Sequence, residues 1–149
     1  MSIQTICADG TLVTYTDRRR WLWSLSLVWP LMPVASCLLA TATGQVAWFW
    51  ATLVVWYCAV PVLDHVFPAD ASNPPEPVVP ELEDDRYYRV LTYLTVPIHY
   101  FTLIYVAYVV GTQNLPWHAL IGLALSVGVV NGLAINTGHE LGHKNSRLE

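Results

Sequence analysis

The residues in this chain with the clearest chemical potential are His139-Glu140-Leu141-Gly142-His143-Lys144. On a helix, side chains four apart share a face, so the imidazoles of His139 and His143 can grip one metal ion or reach into one cluster. Neutral imidazole suits zinc, iron and copper, and the order of affinities does not choose among them. With zinc, Glu140 would be a general base activating a bound water for peptide hydrolysis. With iron, Glu140 would stand behind the ligands and orient them. The same residues also admit a plainer reading. Histidine is favoured at a helix C-terminus by the dipole, and Glu140 followed by Lys144 is a favourable surface pair.

The elements that must position this hexapeptide are read from where charge is missing. The chain has 149 residues, 54% apolar and only 12% charged, against about a quarter charged in soluble domains. No Asp, Glu, Lys or Arg occurs from Trp21 to Leu63 or from Val90 to Gly138. As one helix, either stretch would run about 65 to 75 Å, roughly twice the hydrocarbon core of a bilayer, so each folds back as a hairpin. The expected fold is all-α and integral to the membrane, with four transmembrane helices forming two hairpins. Span one covers about Trp21 to Ala42 and span two about Val46 to Leu63, with Thr43-Gly44-Gln45 as the turn. Span three covers about Val90 to Val110, the turn Gly111 to Trp117, and span four begins at His118. Pro30, Pro33, Pro61 and Pro97 fall within spans, where neighbouring helices can satisfy a freed carbonyl, so they suggest kinks that leave room for a cavity.

Orientation follows from the basic residues. Arg18, Arg19 and Arg20 precede span one, Arg86 and Arg89 precede span three, and Lys144 and Arg147 follow span four. All seven lie on one side, which the positive-inside rule makes cytoplasmic. The resulting division is a cytoplasmic tail over 1–20, a first hairpin over 21–63, a linker over 64–89, a second hairpin over 90–138 and the histidine motif over 139–149. Within the tail, Ile3 to Tyr15 alternates weakly around Asp9-Gly10, a hairpin cue, although a frayed tail accounts for these residues equally well. The basic run before an apolar segment, with Val34-Ala35-Ser36-Cys37 beyond it, also has the shape of a secretory signal. A polar lead, three tryptophans in the segment and three further spans fit uncleaved insertion better.

The linker carries Pro68, Pro74, Pro75, Pro77 and Pro80 among Glu76, Glu81, Glu83, Asp84 and Asp85. That composition disfavours a packed core and suits a segment along the membrane surface. The formal charge of -4 and this acidic cluster argue against nucleic acid as a partner. Cys7, Cys37 and Cys58 have no motif spacing and imply no disulfide framework. Gly128 and Gly132 form a GxxxG pair that permits close helix approach. An ionisable residue within a span, His99, is expected as a neutral, hydrogen-bonded side chain facing the bundle. Asp64, His65 and His118 sit at span ends, where interface polarity accounts for them.

Beyond the hexapeptide, Asn131-Gly132-Leu133-Ala134-Ile135-Asn136-Thr137-Gly138 leading into His139, the run Tyr87 to Tyr100, Asn73-Pro74-Pro75-Glu76 and Val55-Trp56-Tyr57 together resemble the bacterial integral-membrane alkane 1-monooxygenases. The resemblance covers nearly the whole chain after residue 17. It implies a non-haem di-iron enzyme of six membrane helices in the bacterial inner membrane. That enzyme inserts one atom of O2 into the terminal C–H bond of a medium-chain n-alkane, with electrons passing from NADH through rubredoxin reductase and rubredoxin. Its first histidine box, HE[LM]xHK, matches His139 to Lys144, so His139 and His143 carry over as iron ligands, with Glu140 behind them. Trp56 matches a bulky position thought to limit how far the hydrocarbon extends. On composition alone, interface placement is the stronger explanation of a tryptophan there. Leu133, six residues before His139, is a second channel candidate.

The departure from that family is one of length, since its members continue for roughly another domain's worth of chain bearing the boxes EHxxGHH and LQRHSDHH. Two imidazoles cannot fill the coordination shells of two irons, so the expectation is the N-terminal portion of a longer enzyme. The alternatives are a membrane zinc metalloprotease using Glu140 and a non-catalytic membrane interaction protein. An apolar channel suits a substrate with no polar handle that is already concentrated in the bilayer.

Overall fold

The computed structural model describes residues 2–6, 10–67 and 73–142, without the side chains of residues 140–142. Among the described residues, four helical segments are long and apolar enough to cross a membrane: Arg20–Thr43, Val46–Val66, Arg86–Thr112 and Trp117–His139. This is a multi-pass membrane protein. Large apolar side chains such as Tyr57, Val62, Tyr100, Ile104 and Ile135 are exposed on its outside, as lipid-facing residues are expected to be.

The first turn forms where the sequence placed it. Gly44 adopts φ +69°, and its N–H donates to the Ala40 carbonyl at 2.9 Å, the left-handed helix end that glycine accepts without strain. The second turn is tighter than expected. The third span continues through Gly111 and Thr112, leaving 113–116 to connect to a helix over Trp117–Gly142. That third span also begins earlier, at Arg86, because the Asp85 carboxylate accepts from the Tyr87 N–H at 2.7 Å and caps the helix. The second span extends three residues past Leu63, to Val66.

The prolines act through changes of helix type. The first span starts as 3-10 turns over Arg20–Leu27 and Trp29–Leu31 before becoming α-helical over Met32–Thr43. The Pro30 carbonyl is taken up by the Thr102 hydroxyl of the third span at 2.7 Å. In the second span a π turn over Val55–Ala59 precedes the α-helical Val60–Val66 that contains Pro61. Proline lacks the N–H that would donate back one turn, and a widened turn absorbs the loss. Pro97 lies within an unbroken helix.

A two-stranded hairpin adds to the expected all-α architecture. Strand β1, Ser2–Ile6, pairs antiparallel with β2, Leu12–Thr16, in the register Ile3 to Tyr15 and Thr5 to Val13. A part of the linker packs against it. Val78, at the end of the 3-10 turn Glu76–Val78, is fully buried, and that turn packs on β1, whose Ile3 is also buried.

The core lies toward the uncharged turns, where Cys37, Ala40, Phe49, Val106, Val109, Ala119 and Leu123 interlock. Small hydroxyl residues seal it from within. Ser36 and Thr52 share a hydrogen bond at 3.2 Å, and Ser126 donates to the Phe49 carbonyl at 3.4 Å. Such bonds between helices hold spans together where lipid supplies no hydrophobic drive for association.

Candidate functional site

At the charged end of the bundle, the starts of the first and third spans are tied by an ion pair. Arg20 meets Asp85 at 2.6 Å, with the carboxylate nearly buried, and its guanidinium lies over the Tyr87 ring at 4.4 Å. Tyr87 donates back to the Arg20 carbonyl at 3.1 Å, and Tyr88 donates to Asp17 at 2.5 Å. The arginines preceding the first and third spans are therefore at one end of the molecule, as their positions in the sequence implied. Beside this collar lies a cleft of about 840 Å³, bounded by β2, the linker and the starts of both spans.

A smaller cavity of about 140 Å³ opens deeper between all four spans. The first span contributes Ser26, Trp29 and Pro30, the second Trp56, the third Thr95 and His99, and the fourth Val130, Leu133 and Thr137. Ser26 borders both the cleft and the cavity. Each contribution follows helical spacing: Ser26 with Trp29 and Pro30, Thr95 with His99, and Val130 with Leu133 and Thr137 are three or four residues apart. Trp56 sits in the π turn, and its ring leans on Trp29 with centroids 5.2 Å apart and planes tilted by 48°.

The structure thus brings Trp56 and Leu133 to one cavity. His99 joins them, only 9% exposed, with Asn131 of the fourth span beside its imidazole. His99 faces the bundle, as expected from its place in the third span. Among the described residues, neither His99 Nδ1 nor Trp56 Nε1 has a hydrogen-bond partner, although both atoms are buried. Trp29, Ser26, Thr95 and Thr137 were not singled out by the sequence. The signal that would have found them is the three-and-four spacing of polar and aromatic residues within otherwise aliphatic spans.

His139 stands elsewhere. It is exposed at the end of the fourth span, two residues beyond Thr137. Two residues are more than half of a 3.6-residue turn, so His139 projects from the opposite side of the helix to the cavity face. His143, Lys144 and Arg147 lie outside the described residues, as does the side chain of Glu140. Among the described residues, no group of three or more His, Cys, Asp or Glu could hold a metal ion. The described part of the chain therefore does not by itself fit a complete metal centre.

No protein-family model matches the chain. Individual proteins do. The chain is 54% identical over 135 residues to the "Alkane 1-monooxygenase" of Ectopseudomonas oleovorans, covering 91% of this chain and 34% of that protein. It is 53% identical over 142 residues to "Alkane 1-monooxygenase 1" of Alcanivorax borkumensis, covering 95% and 35%. A more distant relative, the "Alkane 1-monooxygenase" of Acinetobacter baylyi, is 32% identical over 136 residues. The chain spans about a third of the length of these relatives.

Proposed function

We propose, from a chain homologous to the alkane 1-monooxygenases over 91% of its own length, that it forms part of an enzyme hydroxylating medium-chain n-alkanes at a terminal carbon. The observation that carries this reading is the 54% identity to a protein of that name. The overall reaction takes an alkane, O2, two electrons and two protons to a primary alkanol and water. NADH is the electron source, through rubredoxin reductase and rubredoxin. A histidine-ligated pair of iron ions would supply oxygen activation. His139 and His143 would be its ligands from this chain, and the remaining ligands would have to come from outside it.

The residues of this chain bind and confine the hydrocarbon. An alkane offers no group for hydrogen bonding, so its position depends on the shape of an apolar space. The cavity between the four spans supplies part of such a space, with Trp29, Trp56, Val130 and Leu133 as apolar wall beside the polar Ser26, Thr95, His99 and Thr137. The charged collar at Arg20 and Asp85 fixes the ends of the first and third spans, and with them the walls of that space. By the positive-inside rule the collar faces the cytoplasm of a bacterial inner-membrane protein, which brings His139 to the side where a soluble electron donor operates.

The test is the complete protein in membranes, supplied with n-octane, NADH, rubredoxin and its reductase. The expected result is 1-octanol with iron bound, and loss of both iron and product in His139→Ala and His143→Ala. Stoichiometric zinc without iron, together with casein cleavage that depends on Glu140, would overturn the reading in favour of a metalloprotease.

A further inference from the structure

We propose that Trp29 is a second chain-length determinant, acting with Trp56 as one aromatic stop at the wall of the four-span cavity. This rests on the alkane hydroxylation proposed above and names a further residue of that same site. Three observations carry it. Trp29 and Trp56 both line the cavity of about 140 Å³, and their rings are in contact, with centroids 5.2 Å apart. The backbone beside Trp29 is anchored, because Pro30 is buried and its carbonyl accepts the Thr102 hydroxyl at 2.7 Å. Trp56, in contrast, sits on a π turn, a widened helical geometry that occurs mostly as an isolated bulge and often at functional sites.

The division of labour follows from those supports. A ring that meets the end of a flexible chain resists it only if the ring itself is held. Trp29 braces Trp56 from the side, ring against ring at the same cavity, on a segment bonded to the third span. Removing Trp29 opens volume directly and also lets Trp56 turn into the space left behind. Chain length is sensed through such volume, since one methylene more or less in an apolar pocket changes discrimination by about tenfold or more. Trp29 therefore sets specificity through Trp56 as well as by its own bulk, and the two substitutions are non-additive because the rings share one contact.

The experiment uses the complete enzyme in membranes with an equimolar mixture of n-octane, n-dodecane and n-hexadecane, reading alkanols by gas chromatography. Trp29→Ser is expected to raise the hexadecanol-to-octanol ratio about tenfold, Trp56→Ser to do the same, and the double variant to exceed either by less than their product. Trp29→Phe, which preserves an aromatic ring and guards against loss of folding, gives a smaller shift in the same direction. Trp21→Ser, an exposed tryptophan on the same span outside the cavity, leaves the ratio unchanged. A shift in Trp56→Ser with none in either Trp29 variant overturns the inference while leaving the alkane reading intact. A wild-type enzyme that hydroxylates no alkane in the mixture overturns both. An equal shift in Trp21→Ser also overturns it, because the effect would then belong to interfacial tryptophans in general.

Discussion

Two faces of the fourth span run side by side with the same helical spacing and opposite surroundings. Ala119, Leu123, Ser126 and Val130 are buried against the other spans, and the face continues to Leu133 and Thr137 at the cavity. Ile121, Leu125, Gly128, Gly132, Ile135 and His139 are exposed. The exposed face also changes character along its length, from branched apolar residues through two glycines and Ile135 to an imidazole. The packed face is explained by the three other spans alone. The open face carries His139 without two further donors beside it among the described residues. On the proposed reading, one face of a single helix bounds the hydrocarbon while the other is completed by the rest of the protein. Substrate confinement and metal binding are then separable by mutation, and stability should follow the first face only.

The largest expected break in the packed face is Gly122→Leu. A Cβ at Gly122 would lie 3.0 Å from the Trp50 ring and 3.1 Å from the Phe49 carbonyl oxygen. The backbone oxygen cannot swing aside as a side chain can, so the expected destabilisation is about 3 kcal/mol, the upper end for overpacking. Leu123→Ala comes next, at about 2 kcal/mol, since Leu123 is fully buried but lipid offers comparable apolar surroundings and only packing is lost. Both are measured as unfolding of the purified chain in mixed detergent micelles. An effect smaller than that of an exposed-face substitution would mean that the two faces are not distinct.

The contrast also shows which parts of the molecule can be read without coordinates. The four spans and the Gly44 turn follow from the exclusion of charge from lipid and the freedom of glycine, and both are strong constraints. The early start of the third span is a matter of one carboxylate. Asp85 directly before Arg86 is a recognisable cap, yet in a segment dense with Glu and Asp nothing singles it out until Arg20 is seen beside it. Alternation from Ile3 to Tyr15 was a weak sign that left a frayed tail equally open, because period-two patterning over so few exposed residues does not separate a strand pair from a solvated tail. The 3-10 and π turns were not legible. Proline announces that a helix must adjust, and the neighbouring spans decide how. Of the candidate site, Trp56, Leu133 and His99 were identifiable singly, but their meeting depends on the rotation of each span about its axis. Trp29 was hidden among seven tryptophans, most of which could equally serve the membrane interface. His143 lies outside the described residues, so the pairing of the two imidazoles remains a property of spacing.

A smaller effect on the packed face sharpens the comparison. Ser126 is fully buried and donates to the Phe49 carbonyl across a long 3.4 Å. Ser126→Ala is expected to cost about 0.6 kcal/mol, the average found for hydrogen bonds between membrane helices. A loss above about 2 kcal/mol would show that the bond is a principal tie between the second and fourth spans.

The smallest effect belongs to the open face and tests it most directly. A Cβ at Gly128 meets nothing within 4 Å, so Gly128→Ala introduces no clash within this chain. Alanine is also favoured over glycine in a helix interior by up to about 1 kcal/mol, because glycine loses more backbone freedom on ordering. The expected outcome in the 149-residue chain is no destabilisation, with a slight gain in the unfolding midpoint. Gly122→Ala differs from it by a contact of 3.0 Å against none, while the propensity gain is common to both. The difference between the two alanine variants therefore isolates packing from propensity on one helix. Equal midpoints would mean that Trp50 yields at no cost and that the packed face is looser than its burial suggests. A drop in Gly128→Ala alone would mean that the exposed face is held by close association between copies of this chain.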